Sequence, residues 1–215
     1  MKTRVLLFII SLFYLCSCDR NEEDYPNYMT WPSTHFTNHY ILPDSLLMDC
    51  VKDSLFDDFM LAVDIKGESV MSDDCRDCSQ KKHPLFDSIA NLYHDVSWTS
   101  YGTYQEYATA FPVEDISITS DADFDENHPT GTNLIAVAKI EVRSSGEFVL
   151  SNYPKGVECY EKLSKPFPEF TDAQKCLWEH SGFAIILPPT SLHQTITVTM
   201  KFQGGKTLSA SAMVN

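Results

Sequence analysis

Positive charge is the first thing this chain lacks. Its 215 residues hold 16 Lys and Arg against 30 Asp and Glu, a formal net charge of −14. Such a surface repels phosphate backbones, which excludes nucleic acid as a partner. It repels anionic headgroups as well, so any membrane attachment must come from a lipid. Long apolar runs are also missing. The stretch from Val5 to Leu15 covers about eleven residues, where a spanning helix needs roughly 20. There is no H-E-x-x-H and no G-x-S-x-G, so the common metalloprotease and hydrolase signatures are absent. Internal repeats, low-complexity tracts and a βαβ rhythm are absent too. Hydrophobic content of 43% is ordinary for a folded domain and excludes global disorder.

What is present begins at the start. Lys2 and Arg4 precede the apolar stretch, which ends in Leu15-Cys16-Ser17-Cys18. A basic start, a short apolar run and small residues before a cysteine resemble a bacterial lipoprotein signal peptide. That resemblance implies removal of residues 1–17, with Cys18 acylated as the mature N-terminus. Asp19, Glu22, Glu23 and Asp24 follow within six residues. This run resembles the acidic export tether of surface lipoproteins in Bacteroidetes-type bacteria, and the stretch 116–134, ISITSDADFDENHPTGTNL, is similar to uncharacterised lipoproteins of that group. The resemblance implies an outer-membrane protein facing outward, with the periplasmic face as the alternative; Asp directly after the lipidated cysteine would suggest inner-membrane retention under the rule known for enterobacteria, and the acidic run is the counter-evidence. It implies no activity.

Three segments are expected: the signal peptide 1–17, an acidic and proline-containing tether 18–45, and a folded domain 46–215. Tyr25, Tyr28, Trp31 and Phe36 suggest that the later part of the tether packs on the domain. Period-two alternation marks strands at 58–66, ended by Gly67, at 114–119 and at 194–202, where Ile196, Val198, Met200 and Phe202 face inward. It also marks 134–143, with Leu134, Ala136, Ala138, Ile140 and Val142 on one face. Ser144-Ser145-Gly146 then turns it into a strand at 147–150. Further strands are expected at 91–98, 183–187 and 206–214, the last reached through Gly204-Gly205. Residues 151–181 break the pattern with Pro154, Pro166 and Pro168 and a short helix near 171–179, capped by Thr171 or Asp172. The fold class is all-β, an antiparallel immunoglobulin-like β-sandwich with a short helical or irregular insertion near 151–181.

Several constellations bear on chemistry. Cys75 and Cys78 form a C-x-x-C, but Asp73, Asp74 and Asp77 crowd it and disfavour a thiolate. A structural disulfide within that pair or to Cys50 is the better reading. A zinc site with Cys159 and Cys176 has half of the usual pattern. Cys159 and Cys176 bracket the proline-rich insertion, and a disulfide between them would close a loop of about seventeen residues, contributing on the order of 3 kcal/mol. Asp121, Asp123 and Asp125 resemble the start of a calcium loop. The sixth and twelfth positions are Glu126 and Thr132 rather than Gly and Glu, so an EF-hand is excluded and only a looser Ca²⁺ site remains.

Trp98, Tyr101 and Tyr104 stand in a stretch with almost no charge. Rings with large buried area ordinarily belong to the core, and that is one reading of this stretch; the other is that rings with hydroxyls and amides nearby suit a sugar, with these three residues as the ligand site. The functional expectation is a lipid-anchored, non-catalytic binding or structural module, with a glycan or another envelope protein as partner. The competing class is a small carboxylate-dependent hydrolase acting on glycans.

Overall fold

The computed structural model describes residues 32–52, 59–73, 81–98, 100–101, 107–179, 182–188, 190 and 193–214. It is an all-β sandwich with a few short helices. In chain order the elements are β1 (Pro32–Ser33), β2 (His39–Lys52), β3 (Phe59–Met71), α1 (Phe86–Leu92), β4 (Ser100–Tyr101), β5 (Tyr107–Thr109), β6 (Val113–Ser120), β7 (Lys139–Ser144), α2 (Gly146–Leu150), β8 (Glu161–Lys165), β9 (Gly182–Leu187), β10 (Gln194–Phe202) and β11 (Thr207–Val214). One sheet has the order β11-β10-β6, the other β5-β2-β3-β9-β7-β8, and β1 pairs with β4 as a separate ribbon. Every ladder is antiparallel except the three-residue pairing of β2 with β5.

The main core lies between the two sheets. β10 contributes Ile196, Val198, Met200 and Phe202, all fully buried, and β6 contributes Ile116 and Ile118. Across from them stand Leu61, Val63 and Ile65 of β3, Ile140 of β7 and Ile185 of β9. Strict alternation is enough to place these side chains, because successive residues of a strand point to opposite faces. The turn Gly204-Gly205 has φ of 92° and 88°, as a tight β-hairpin requires.

A second core sits beside the first, beneath α1 and α2. It gathers Phe36, Tyr40, Val70, Phe86, Tyr93, Phe148, Tyr160 and Leu177. The hairpin of β2 and β3 serves both cores. Buried positions on β3 are odd from Phe59 to Ile65 and then even at Val70, so the strand buries opposite faces at its two ends. The change falls at a bulge, where Pro43 pairs with Gly67 and Ser45 with Lys66, leaving Asp44 extra. Gly67 therefore does not end the strand. It has no room for a side chain against the partner strand: a Cβ there would lie 1.7 Å from the Leu42 carbonyl oxygen.

Residues 32–45 of the expected tether are part of the fold, while Tyr25, Tyr28 and Trp31 lie outside the described residues. Phe36 and Tyr40 are buried, and the boundary at 45 falls inside β2.

Four other expectations change. Residues 91–98 are no strand: helical spacing of Ile89 and Tyr93 prevails, and the chain forms α1. Only the second half of 134–143 is strand. Asn133 accepts hydrogen bonds from Ile135 N and Ile118 N, which winds Leu134–Ala136 into a 3₁₀ turn before β7 begins. Residues 147–150 are helix, because Ser144 Oγ accepts from Gly146 N and starts a turn instead of a hairpin. The insertion contains a strand, β8, while the helix expected at 171–179 is one turn, capped by Thr171 Oγ1 accepting from Gln174 N.

Candidate functional site

A cleft of about 480 Å³ opens where β7 passes into α2 and the chain returns as β8. Its construction starts at Ser144. That hydroxyl donates to the Cys176 carbonyl at 2.7 Å and accepts from Gly146 N at 3.1 Å, so the strand ends and the helix starts at one pinned residue. Gly146 has no room for a side chain, since a Cβ would lie 1.9 Å from the Ala173 carbonyl oxygen. This contact presses the first turn of α2 against the 171–176 segment. Glu147 then receives a hydrogen bond from Thr171 Oγ1 at 2.6 Å. Asn152 and Tyr153, with φ of 60° and 56°, reverse the chain after α2 in the left-handed region. The loop 154–160 leads into β8, where Glu161 accepts from Gln174 Nε2 at 3.0 and 2.9 Å.

The floor of the cleft is apolar. Phe148, Cys159 and Tyr160 line it and are all buried, while Val157 stands 54% exposed at the rim. Behind the floor, Arg143 sits 4.7 Å from the Tyr160 ring centroid and pairs with Glu179 at 2.7 Å. The ring is thus held from the far side.

Phe148 also belongs to a cluster of rings. Trp98 lies 5.3 Å from Phe36, 5.7 Å from Phe148 and 5.1 Å from Tyr153, each edge to face. Beside this cluster is Asp95, fully buried. Its Oδ1 accepts from Phe36 N at 2.7 Å and Tyr153 OH at 2.6 Å, and its Oδ2 from Thr37 N at 2.9 Å and Tyr40 OH at 3.2 Å. Burial and then the Asp95 charge push the Tyr40 and Tyr153 hydroxyls well above the usual tyrosine range, so both remain neutral donors. One carboxylate therefore clamps the segment before β2 onto the body of the domain.

Comparisons with protein-family models, with curated proteins and with solved structures find no match.

The expected site residues are distributed as follows. Cys18, Tyr104 and the pair Cys75 and Cys78 lie outside the described residues. Tyr101 is on β4, paired with Pro32. Trp98 packs on the second core, one ring away from the cleft through Phe148.

The expected disulfide is not formed. Cys159 and Cys176 are both buried thiols of the second core. The insertion needs no covalent staple, because β8 pairs with β7, and Leu163, Phe167 and Phe170 enter the main core. Burial, with Asp172 and Glu147 nearby, pushes the Cys176 thiol up to about 12.

The three aspartates of the 121–131 loop do not converge. Asp121 accepts from Thr195 N, Asp123 from Thr130 N and Oγ1, and Asp125 from Asn127 N and His128. These bonds hold each carboxyl below the usual range and shape the loop. No group of three or more possible metal ligands occurs among the described residues.

The sequence offered little warning of the cleft or the clamp. Asp95 lies in a short polar-apolar mixture with no motif, and the sequence pattern places Glu147 on a strand. The one usable signal was Gly146 beside two serines, which marks a tight turn without saying what packs on it.

Proposed function

We propose that this chain is a lipid-anchored protein of the cell envelope, held in the outer membrane through Cys18 and facing outward, and that its sandwich domain is a binding module. The observation that carries the reading of place is Leu15-Cys16-Ser17-Cys18 closing a short apolar run, with four carboxylates directly after it. A polar extracellular ligand, a glycan above all, fits the role. The cleft between α2 and β8 supports it: it is open, has an apolar floor, and carries carboxylates that Thr171 and Gln174 hold in fixed positions. Fixed acceptors over an apolar surface are what orient a small polar ligand.

Cys18→Ala tests the anchor. The variant should leave the membrane fraction and lose labelling by palmitate, and labelling that persists would refute lipidation at this residue. Protease shaving of intact cells tests the outward face; a protein cut only after lysis belongs to the periplasmic side. A glycan array and a panel of chromogenic glycosides test the module. Retention without turnover supports binding, whereas turnover would make the domain a carboxylate-dependent hydrolase.

A further inference from the structure

The place where the chain enters the domain sets which side a lipid at Cys18 would hold, and this step rests on that lipidation. Ser33 of β1 pairs with Ser100 of β4, and Trp98 N donates to the Thr34 carbonyl at 3.1 Å. Asp95 accepts from Phe36 N and Thr37 N. Val96 lies between these two anchoring residues, so the chain enters beside the C-terminal end of α1. At no more than ~3.6 Å per residue, the roughly fourteen residues from Cys18 to Trp31 span at most about 50 Å. A compact domain of this length has a radius of gyration of about 16 Å, which makes it about 40 Å across. Passing round it to the opposite side uses all of that span. The side carrying α1 is therefore the one that a lipid at Cys18 brings to the bilayer.

The surface of that side is a separate observation. Leu85, Leu92 and Val96 are 46%, 42% and 47% exposed. Leu85 and Leu92 stand two helical turns apart on one flank of α1 with Ser88 between them, while Phe86, Ile89 and Ala90 of the same helix are buried. The whole chain has a formal charge of −14, yet from 84 to 98 it holds no Lys or Arg and, apart from His94, only two charged residues, Asp87 and Asp95. Lys82 Nζ lies 2.6 Å from the first, and the second is buried. Exposed apolar side chains with no unpaired carboxylate to desolvate suit the acyl boundary of a bilayer. None of the three lines the cleft, so a contact through them orients the domain without occupying the cleft.

We propose that the α1 face rests, through Leu85, Leu92 and Val96, on the bilayer that holds Cys18. The lipid it meets has no net charge, because the excess of carboxylates in the rest of the chain repels anionic headgroups.

The test uses the full acylated protein in phosphatidylcholine vesicles. Three single variants carry a photoreactive side chain: Leu92→p-benzoylphenylalanine, Val96→p-benzoylphenylalanine and, as the control on the outer face of β11, Met213→p-benzoylphenylalanine. Met213 is 61% exposed, so access to solvent is no less there. After irradiation, mass spectrometry should find lipid adducts several times more often at 92 and 96 than at 213, with melting temperatures unchanged. Hydrogen exchange makes the same comparison without altering the surface. The peptide 85–96 should exchange several-fold more slowly in the acylated protein on vesicles than in Cys18→Ala protein mixed with the same vesicles, and the peptide 207–213 equally in both. Adducts as frequent at 213, lipid adducts at none of the three, or equal exchange of 85–96 would overturn the proposal. Adducts at 92 and 96 made instead to residues 19–31 of the same chain, or to a second copy, overturn it as well. In each of these cases a protein that floats with the vesicles leaves the anchor standing, and one that does not float removes both.

Discussion

Replacing Asp95 by Asn changes no shape and removes one charge, so its cost can be worked from four distances. The carboxylate accepts from Phe36 N at 2.7 Å and Tyr153 OH at 2.6 Å on one oxygen, and from Thr37 N at 2.9 Å and Tyr40 OH at 3.2 Å on the other. An amide keeps one acceptor and turns the other position into a donor. Whichever way Asn turns, one backbone N–H and one tyrosine hydroxyl meet that donor. The hydroxyl can rotate and accept; the N–H cannot. One orphaned buried N–H costs about 1–3 kcal/mol, and the remaining bonds lose their charge assistance. The expected total is about 3–4 kcal/mol, a large share of the roughly 5–15 kcal/mol of a whole domain. For a chain of this size that lowers the melting temperature by about 6–16 °C. The assay is urea unfolding at neutral pH followed by circular dichroism, with a thermal scan beside it. Tyr153→Phe removes one of the same bonds, so its effect and that of Asp95→Asn should combine to less than their sum. A loss below about 1 kcal/mol, or strict additivity, would refute the clamp.

Three further outcomes are expected. Gly67→Ala puts a Cβ 1.7 Å from the Leu42 carbonyl oxygen, and parting two backbones at the bulge should cost about 3 kcal/mol or more, read as a fall in urea midpoint; a neutral effect would show that the bulge gives way freely. Stability should hold from neutral pH to about 9 and fall above it, because Cys176 is raised from 9.0 to about 12 and Tyr40, Tyr93 and Tyr153 are raised from 10.0, chiefly by burial. Groups raised in this way support the fold fully below their unfolded values and lose that support as pH climbs, so a urea midpoint that stays level to pH 11 would contradict their burial. Cys159 and Cys176 should react with a thiol reagent only after unfolding, without prior reduction, as mass spectrometry of labelled peptides would report; two residues that need a reductant first would restore the disulfide.

The sheet was legible wherever a strand buries one face and shows the other. β6 and β10 read directly from Ile116 and Ile118, and from Ile196 to Phe202, because period two has no competing explanation there. The pattern of β3 is legible only as far as Gly67, since glycine ordinarily weakens a strand. Its role at the bulge depends on Leu42, twenty-five residues away in sequence. Phe148 and Val149 looked like strand because apolar neighbours carry no period of their own over so short a stretch. What turned them into helix is a hydroxyl at Ser144 and a carbonyl at Ala173. The clamp was illegible for the same reason. Asp95 meets partners fifty-five or more residues away, and nothing near Asp95 in sequence encodes them. The candidate cleft followed suit: its acids come from a helix, a loop and a strand that only the fold brings to one opening.

The hairpin that serves two cores has a consequence for how the domain comes apart. Val70 and Tyr40 at one end of β2 and β3 belong to the second core, and Leu46, Val63 and Ile65 at the other end belong to the first. Leu177 and Trp178, adjacent in sequence, are likewise divided between the two. Neither core can melt while the other keeps its partners, because each removes strands the other needs. The amides of both ends of the hairpin should therefore exchange with solvent as a single foldon, and the region around the cleft should be as slow to open as the sandwich itself.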